Sequence, residues 1–255
     1  MTELVQTEIM DGVIRIRLNR EDKKNALTGE MYHGICDAFD KLDSDPALRV
    51  GLITGSQDCF TAGNDLVDFM ENSTIAGDSP VGRFLRTLPN LKKPLVAAVN
   101  GPAVGVGTTL LFHCDLVYAA SSTKFSMPFV NLGLCPEAGS SLLLQQSVGY
   151  RKACELLMLG GVFDAEKAEQ LGLVNEVLDP SNYQDHALAK AKQLAQQPPH
   201  SIQVTKQLMR QSNQAFLETI MKAEEEHFSA MLQGAEAKEA FAAFFEKRKP
   251  DFSKL

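Results

Sequence analysis

The sequence predicts an α/β protein whose strands pair in parallel. Short apolar runs with a strand-like pattern recur along the chain, and stretches with helical periodicity separate them. Such alternation is typical of proteins that pack helices on a parallel sheet. The strand-like runs lie at 13–18, 50–54, 94–99, 116–120 and 174–177.

The first strand and the first helix carry clear local signals. Residues 13–18 alternate between apolar and polar side chains after a turn at Gly12. Thr28 stands directly before a helical pattern, and threonine is a favoured N-cap. The apolar residues of that helix recur every three or four positions, at Met31, Ile35, Phe39 and Leu42.

The chain after residue 177 is predicted to be helical. Pro198 and Pro199 are expected to break the helix of residues 183–196, because proline lacks a backbone N–H and clashes with the preceding turn. Helices are predicted beyond them at 201–211, 215–231 and 235–247. Their apolar faces need a partner. Three phenylalanines near the end of this region fit either a core or an interface: Phe241, Phe244 and Phe245.

A glycine-rich corner follows the apolar run 94–99. Gly101, Gly105 and Gly107 permit a sharp turn from a strand into a short helix. The first N–H groups of a helix lack intrahelical partners and can donate to an anion, including one that develops during a reaction. For the glycines alone, a plain strand-to-helix turn is the more common explanation. Their spacing differs from the G-x-G-x-x-G dinucleotide fingerprint, so a Rossmann interpretation is weak.

Glu137 is the second informative residue, because it is an acid in an otherwise apolar and small-residue segment. One interpretation places Pro136 and Glu137 in a first helical turn, where a carboxylate offsets the helix dipole. The other makes Glu137 a buried carboxylate. Loss of solvation would then raise its pKa towards the range of a general base.

Composition excludes several classes of function. The chain has 255 residues, 44% of them hydrophobic, which argues against disorder. Its formal net charge of −7 and its lack of tryptophan speak against nucleic acid as a partner. The five cysteines and five histidines show no metal-ligand spacing, so no metal is predicted.

The sequence also predicts where the protein acts. Widely spaced cysteines that are odd in number indicate reduced thiols inside a cell. No apolar run approaches the ~18 residues of a membrane span, and no membrane partner is expected. Bacterial cytoplasm is the favoured location. The alternative is the peroxisomal matrix, through the terminal tripeptide Ser253, Lys254 and Leu255.

Five motifs in order along the chain resemble the crotonase (enoyl-CoA hydratase/isomerase) superfamily over nearly the full length. They are NREDKKNALT at 19–28, GLITGSQDCFTAGNDL at 51–66, KKPLVAAVNGPAVGVGTTLLFHCDLVYAA at 92–120, FSMPFVNLGLCPEAGSS at 125–141, and LMLGGVFDAEKAEQLGLVNEVL at 157–178. The resemblance implies a crotonase-like spiral of ββα units with a C-terminal helical region. It assigns residues 1–197 to the spiral core with an acyl-CoA site, and 198–255 to helices that mediate oligomerisation, as a homotrimer or a dimer of trimers.

The same resemblance implies an oxyanion hole made by the backbone N–H groups of Ala62 and Val106. Hydratases of the superfamily carry two glutamates at positions that resemble Thr109 and Phe129 here. Neither residue can activate water as a carboxylate does, so hydration by two glutamates is disfavoured. Glu137 instead resembles the single glutamate of Δ3,Δ2-enoyl-CoA isomerases, and Phe129 would keep the pocket poor in water.

The resemblance further places the acyl-CoA substrate against two segments. No separate cofactor is expected, since coenzyme A is part of the substrate. Asn64 and Asp65 also fit as caps of a helix beginning near Leu66. The predicted substrate-binding residues are Asn25, Ala26, Phe60, Thr61, Gly63, Asn64, Asp65, Leu66, Gly105 and Phe129.

These observations favour an isomerase that moves a 3-enoyl-CoA double bond into conjugation, with Glu137 as the proton shuttle. Two alternatives stay open. One is another crotonase-type activity, such as enoyl-CoA hydration or acyl-CoA hydrolysis. The other is an acyl-CoA-binding module without catalysis.

Overall fold

The computed structural model describes residues 3–56, 58–71, 75, 77 and 79–255. In this part of the chain, strands form a large and a small sheet. The strands are β1 Val5–Met10, β2 Val13–Leu18, β3 Val50–Thr54, β4 Leu95–Val99, β5 Pro102–Val104, β6 Leu116–Ala120, β7 Lys124–Ser126, β8 Phe163–Asp164 and β9 Glu176–Leu178.

The large sheet confirms the predicted parallel pairing. Its strand order is β1-β2-β3-β4-β6-β9, and only the outer pair β1 and β2 is antiparallel. The small sheet has the order β5-β7-β8, with β5 parallel to β7 and β7 antiparallel to β8. The sequence patterns gave no prediction for β1 or for the strands of the small sheet.

Helices connect the strands and then close the chain. Thr28 caps α1, as predicted, by accepting the N–H of Met31 at 3.4 Å. α8 ends at Ala195, and Pro199 begins the next helix rather than preceding it, which proline tolerates because its missing N–H would lack a partner there. The α-helices of the described residues are α1 Gly29–Ser44, α2 Leu66–Glu71, α3 Pro80–Thr87, α4 Val106–Thr109, α5 Ser140–Val148, α6 Tyr150–Leu159, α7 Ala165–Gln170, α8 Tyr183–Ala195, α9 Pro199–Gln211, α10 Gln214–Leu232 and α11 Ala235–Phe245.

Both faces of the large sheet are covered, which explains why its strands read as continuous apolar runs. On one face, α8 lays Ala187, Ala191 and Tyr183 against Val50 and Val96. The small alanines let this helix approach the sheet closely. The other face packs on α1 and on the main core, which the C-terminal helices also enter through Phe228, Leu232 and Phe241.

The C-terminal helices therefore pack on the same chain's core and not apart from it. Their predicted role in oligomerisation stays a prediction. Measured over the described residues, every helix is too short or too polar to traverse a lipid bilayer.

Candidate active site

Two chain segments lie side by side and present unpaired backbone donors. Thr61 pairs in parallel with Ala103, through Thr61 N–H to Pro102 O at 3.0 Å and Val104 N–H to Thr61 O at 3.1 Å. The pairing brings residues 61–64 next to the glycine corner that begins α4. Gly63 permits this approach, because a Cβ at that position would lie 2.9 Å from Val104 O.

Val106 provides the first donor. It is the first residue of α4, after Gly105 with φ of 55°. The Gly105 N–H donates to Ser126 O at 2.9 Å, whereas the Val106 N–H has no acceptor among the described residues. An N–H at this helix position has no intrahelical partner and is free to meet a ligand. The sequence prediction for Val106 is consistent with this geometry.

The second donor belongs to Asn64, and the prediction of Ala62 is wrong. The Ala62 N–H donates to Lys24 O at 2.9 Å, so it is already used. Around Asn64, Gly63 O accepts from Leu27 N–H at 2.8 Å and Asp65 N–H donates to Leu27 O at 2.9 Å. Because successive groups in an extended segment point to opposite sides, the Asn64 N–H faces away from Leu27. It has no acceptor in the described chain.

The Asn64 side chain is held by Tyr32. The buried Tyr32 hydroxyl donates a short hydrogen bond to Asn64 Oδ1. Asp65, rather than Asn64, caps α2, because its Oδ1 accepts the N–H groups of Val67 at 3.1 Å and Asp68 at 3.2 Å. Partial burial opposes ionisation of Asp65, but hydrogen bonds from Arg20 and the helix outweigh it and lower its pKa.

Glu137 is buried, with 5% of its surface exposed. It precedes α5 by three residues, so the interpretation as a first helical turn is wrong. Thr109, the first-turn neighbour of Val106 on α4, donates a short hydrogen bond to Glu137 Oε1. Loss of solvation raises the pKa of Glu137 to about 8, the Thr109 hydrogen bond opposes this, and the charge of Glu224 adds to it. The carboxyl therefore has the properties of a general base near neutral pH.

A cavity of 560 Å³ opens beside the two donors. It is predominantly apolar, and six phenylalanines line it: Phe69, Phe129, Phe228, Phe241, Phe244 and Phe245. A cavity of this size and character suits an organic ligand. The predicted site residues that line it are Ala26, Ala62, Gly63, Asn64, Asp65, Leu66, Gly105, Val106 and Phe129.

Three predicted substrate-binding residues do not reach the cavity. Asn25, Phe60 and Thr61 are each 0% exposed. The Asn25 amide donates to Cys59 O at 3.0 Å and Phe60 O at 3.2 Å, and the Thr61 hydroxyl donates to Asn25 O at 2.6 Å. Contrary to the prediction, these residues do not line the cavity and instead brace its wall from behind.

Glu137 and Thr109 lie outside the set of lining residues as well, although Val106, Phe129 and Leu134 around them belong to it. The cavity has no cluster of metal ligands nearby: within the described ranges, no three His, Cys, Asp or Glu side chains come together to hold a metal ion. The residues that the sequence interpretation missed are Asn64 as a donor and the wall formed by Phe69 and Phe228. The only sequence signal for that wall was the apolar faces of the C-terminal helices, which need a partner.

Comparison with known proteins identifies the family of this chain. Residues 8–254 match the family described as Enoyl-CoA hydratase/isomerase. The chain is 34% identical to the 1,2-epoxyphenylacetyl-CoA isomerase of Escherichia coli, over 99% of both chains. It is 36% identical to the Enoyl-CoA delta isomerase 2 of Rattus norvegicus over 84% of this chain, a match that spans 56% of the rat protein.

Solved structures are similar over almost the whole chain. An enoyl-CoA hydratase/isomerase from Pseudoalteromonas atlantica superimposes with a TM-score of 0.93 at 41% identity, covering 98% of this chain and 99% of the other. OdaA of Pseudomonas aeruginosa also has a TM-score of 0.93, at 46% identity, covering 95% and 99%. The predicted crotonase-like fold is confirmed, and the chain belongs to the enoyl-CoA hydratase/isomerase family of the crotonase superfamily.

Proposed function

We propose that this protein is a Δ3,Δ2-enoyl-CoA isomerase in which Glu137 shuttles one proton and the N–H groups of Asn64 and Val106 hold the thioester oxygen. The observation that carries the proposal is the buried carboxyl of Glu137, which has a raised pKa and contacts the helix whose first residue is one of two unpaired backbone donors. An isomerase needs one base, because the proton that leaves the substrate returns to it.

The reaction begins with Glu137 ionised. It removes a proton from C2 of a 3-enoyl thioester, and the electrons of that C–H bond delocalise over the double bond and the thioester carbonyl. The oxygen of the resulting dienolate gains negative charge between Asn64 and Val106. Each such donor is worth ~2.7–4 kcal/mol in other enzymes. Glu137 then returns its proton to C4, which leaves the conjugated 2-enoyl thioester and the ionised base.

The protein supplies an apolar surrounding for this transfer. Phe129 and Phe228 are 6% and 2% exposed and pack edge to face with ring centroids 6.5 Å apart. Exclusion of water keeps the shuttled proton from exchanging with solvent. Because Glu137 lies beyond the residues that line the cavity, the proposal requires the acyl chain to pass the inner wall near Val106 and Leu134 and reach the carboxyl.

Hydration is the second candidate, since relatives such as the 2,3-dehydroadipyl-CoA hydratase of Escherichia coli carry that name at 33% identity. The geometry does not favour it here. Thr109 is 0% exposed and its hydroxyl is committed to Glu137, and Phe129 is apolar. Neither offers the second carboxylate that would orient an attacking water.

The test uses trans-3-hexenoyl-CoA and follows the absorbance of the conjugated product. A parallel assay measures hydration of 2-hexenoyl-CoA. We expect isomerisation that Glu137→Gln abolishes while acyl-CoA still binds, and that Glu226→Gln, an exposed glutamate on α10, leaves unchanged. Turnover retained in Glu137→Gln, or hydration without isomerisation, would refute the proposal.

A further inference from the structure

Glu224 contacts the turn that carries the proposed base, although it belongs to a C-terminal helix. It lies on α10, and its side chain is buried with 7% of the residue exposed. Its Oε2 accepts the Gly139 N–H at 2.6 Å, and its Oε1 accepts the Ser141 N–H at 3.0 Å and the Ser141 hydroxyl. α5 has a glycine, Gly139, at its N-cap and no capping side chain of its own. Glu224 therefore caps α5 from another element.

The turn that follows Glu137 needs such support. Ala138 and Gly139 have φ of 57° and 70°, and the left-handed conformation costs a non-glycine residue ~1–2 kcal/mol. Strained conformations persist only where the surroundings fix them. Ala138 O lies 2.7 Å from His113 Nε2, and Leu217 of α10 packs so closely that a Cβ on Gly139 would lie 2.3 Å from its Cδ1. α10 and His113 together hold this turn.

We infer that Glu224 is a positioning residue of the active site: it fixes the turn that presents Glu137, and its negative charge controls when Glu137 ionises. The inference rests on the proposed function only in that Glu137 is the base. The contacts of Glu224 with the turn after Glu137 are independent of any substrate.

The hydrogen bonds decide which carboxyl ionises first. Glu224 is surrounded by three donors, two of them helix N–H groups that favour an anion. Glu137 has one hydroxyl donor on its side chain, from Thr109. Burial raises the pKa of both carboxyls, but three hydrogen bonds oppose the rise at Glu224 and only one opposes it at Glu137, so we place the ionisation of Glu224 at the lower pH.

The other titratable groups around Glu137 do not carry charge at neutral pH. Burial raises the pKa of Tyr32 on α1, and of Cys135 in the same loop to about 11. Burial lowers the pKa of His113 to about 4, which leaves its ring neutral. Among the described neighbours of Glu137, Glu224 is therefore the group whose negative charge, once it ionises, adds to the burial that raises the pKa of Glu137.

The experiment compares Glu224→Gln, Glu224→Asp and the matched control Glu226→Gln, all confirmed as folded by circular dichroism. The titration of Glu137 is followed by NMR of glutamate labelled with ¹³C at the carboxyl carbon, and its resonance is assigned by its loss in Glu137→Gln. The pH dependence of kcat and KM is measured with trans-3-hexenoyl-CoA.

We expect Glu224→Gln to move the Glu137 titration and the acid limb of kcat to lower pH. Because the turn is released, plateau kcat should fall on the order of 10²-fold. KM should change little, because Glu224 does not line the cavity. Glu224→Asp keeps the charge, so it should keep the limb near its original pH even if kcat falls. Glu226→Gln should match the unmodified protein.

A Glu137 titration that is the same in Glu224→Gln and Glu226→Gln would overturn the inference. Should Glu224→Gln fail to fold, Glu224→Asp combined with Ser141→Ala tests the same contacts, and an unchanged plateau kcat there would also overturn it. Since the NMR titration needs no substrate, absence of isomerase activity in the unmodified protein would refute the proposed function alone.

Discussion

At the scale of the residue, Thr109 lowers the pKa of Glu137, the proposed base that it contacts. Its hydroxyl bond to Glu137 opposes the effect of burial on the Glu137 pKa. Thr109→Val keeps the shape and removes the donor, so the pKa of Glu137 should rise above its present value of about 8. The acid limb of kcat should then move to higher pH, the opposite of Glu224→Gln. Thr108→Val, whose hydroxyl donates to Ala103 O at 2.6 Å, is the control. A limb that stays in place in Thr109→Val would contradict the assigned contact.

Val106 offers a direct test of the oxyanion donor, because a proline at the first position of a helix is tolerated. Val106→Pro removes the N–H from the first residue of α4 and leaves the helix start intact. We expect kcat to fall by ~10²–10³-fold, the usual effect of losing one such donor. Val106→Ala keeps the N–H and removes side-chain packing, so it serves as the control. Equal kcat values for the two variants would mean that this N–H does not meet the substrate oxygen.

The residue scale is also where sequence interpretation failed. Glu137 stood out because an acid in an apolar segment is unusual, and its burial bears out that interpretation. The choice of Ala62 over Asn64 could not be corrected from the sequence, because any residue can supply a backbone donor. Only the hydrogen bond from the Ala62 N–H to Lys24 O, which joins two distant segments of the chain, reveals that this N–H is already used.

At the scale of the element, the parallel bridge between residues 61–64 and the start of α4 sets the spacing of the two donors. Gly63 has φ of 89°, and a Cβ there would lie 2.9 Å from Val104 O. Gly63→Ala should push the two segments apart and lower kcat, in addition to lowering Tm. Gly172→Ala has a similar φ of 72° and no atom within 4 Å, so it isolates the cost of backbone strain. If both variants lower Tm by the same amount and neither lowers kcat, the spacing of these two segments is not critical for the reaction.

Long elements with a regular apolar pattern were predicted from the sequence, whereas short elements were missed. The strands β2, β3 and β6 have the predicted bounds, and α1 begins after its predicted cap Thr28. The small sheet was missed because β5 and β7 have three residues each and β8 has two, too few to show an alternation. Their pairing depends on contacts between distant segments, such as Ala103 with Phe125, and no local pattern encodes those.

At the scale of the whole molecule, the C-terminal helices complete the site that the N-terminal part begins. α10 and α11 bring Phe228 and Phe241 to the cavity, and α10 brings Glu224 to the turn before α5. The predicted division at residue 197 therefore separates two regions that share one core and one site. A substitution that changes the packing of α10 or α11 should therefore affect the reaction, because these helices pack on the core and also form part of the site.

Two of the buried titratable groups at this junction, Glu137 and His113, give the folded protein an unusual pH dependence. Burial raises the pKa of Glu137 from 4.5 to about 8, so the folded state holds a proton that the unfolded state has released between those values. Stability must then fall as pH rises through this range. Burial lowers the pKa of His113 from 6.5 to about 4, which has the opposite sign and raises stability between pH 4 and 6.5. The two effects oppose each other below pH 6.5, and above it Glu137 acts without that compensation.

We therefore expect the free energy of unfolding to decline from pH 6.5 to pH 8, with a slope of at most about 1.4 kcal/mol per pH unit from this one proton. Urea denaturation at half-unit steps measures the slope. Glu137→Gln cannot titrate, so it should flatten the decline, whereas Glu226→Gln should keep it. If the unmodified protein and Glu137→Gln declined in parallel, Glu137 would not hold its proton in the folded state, and the raised pKa assigned to this base would be wrong with it.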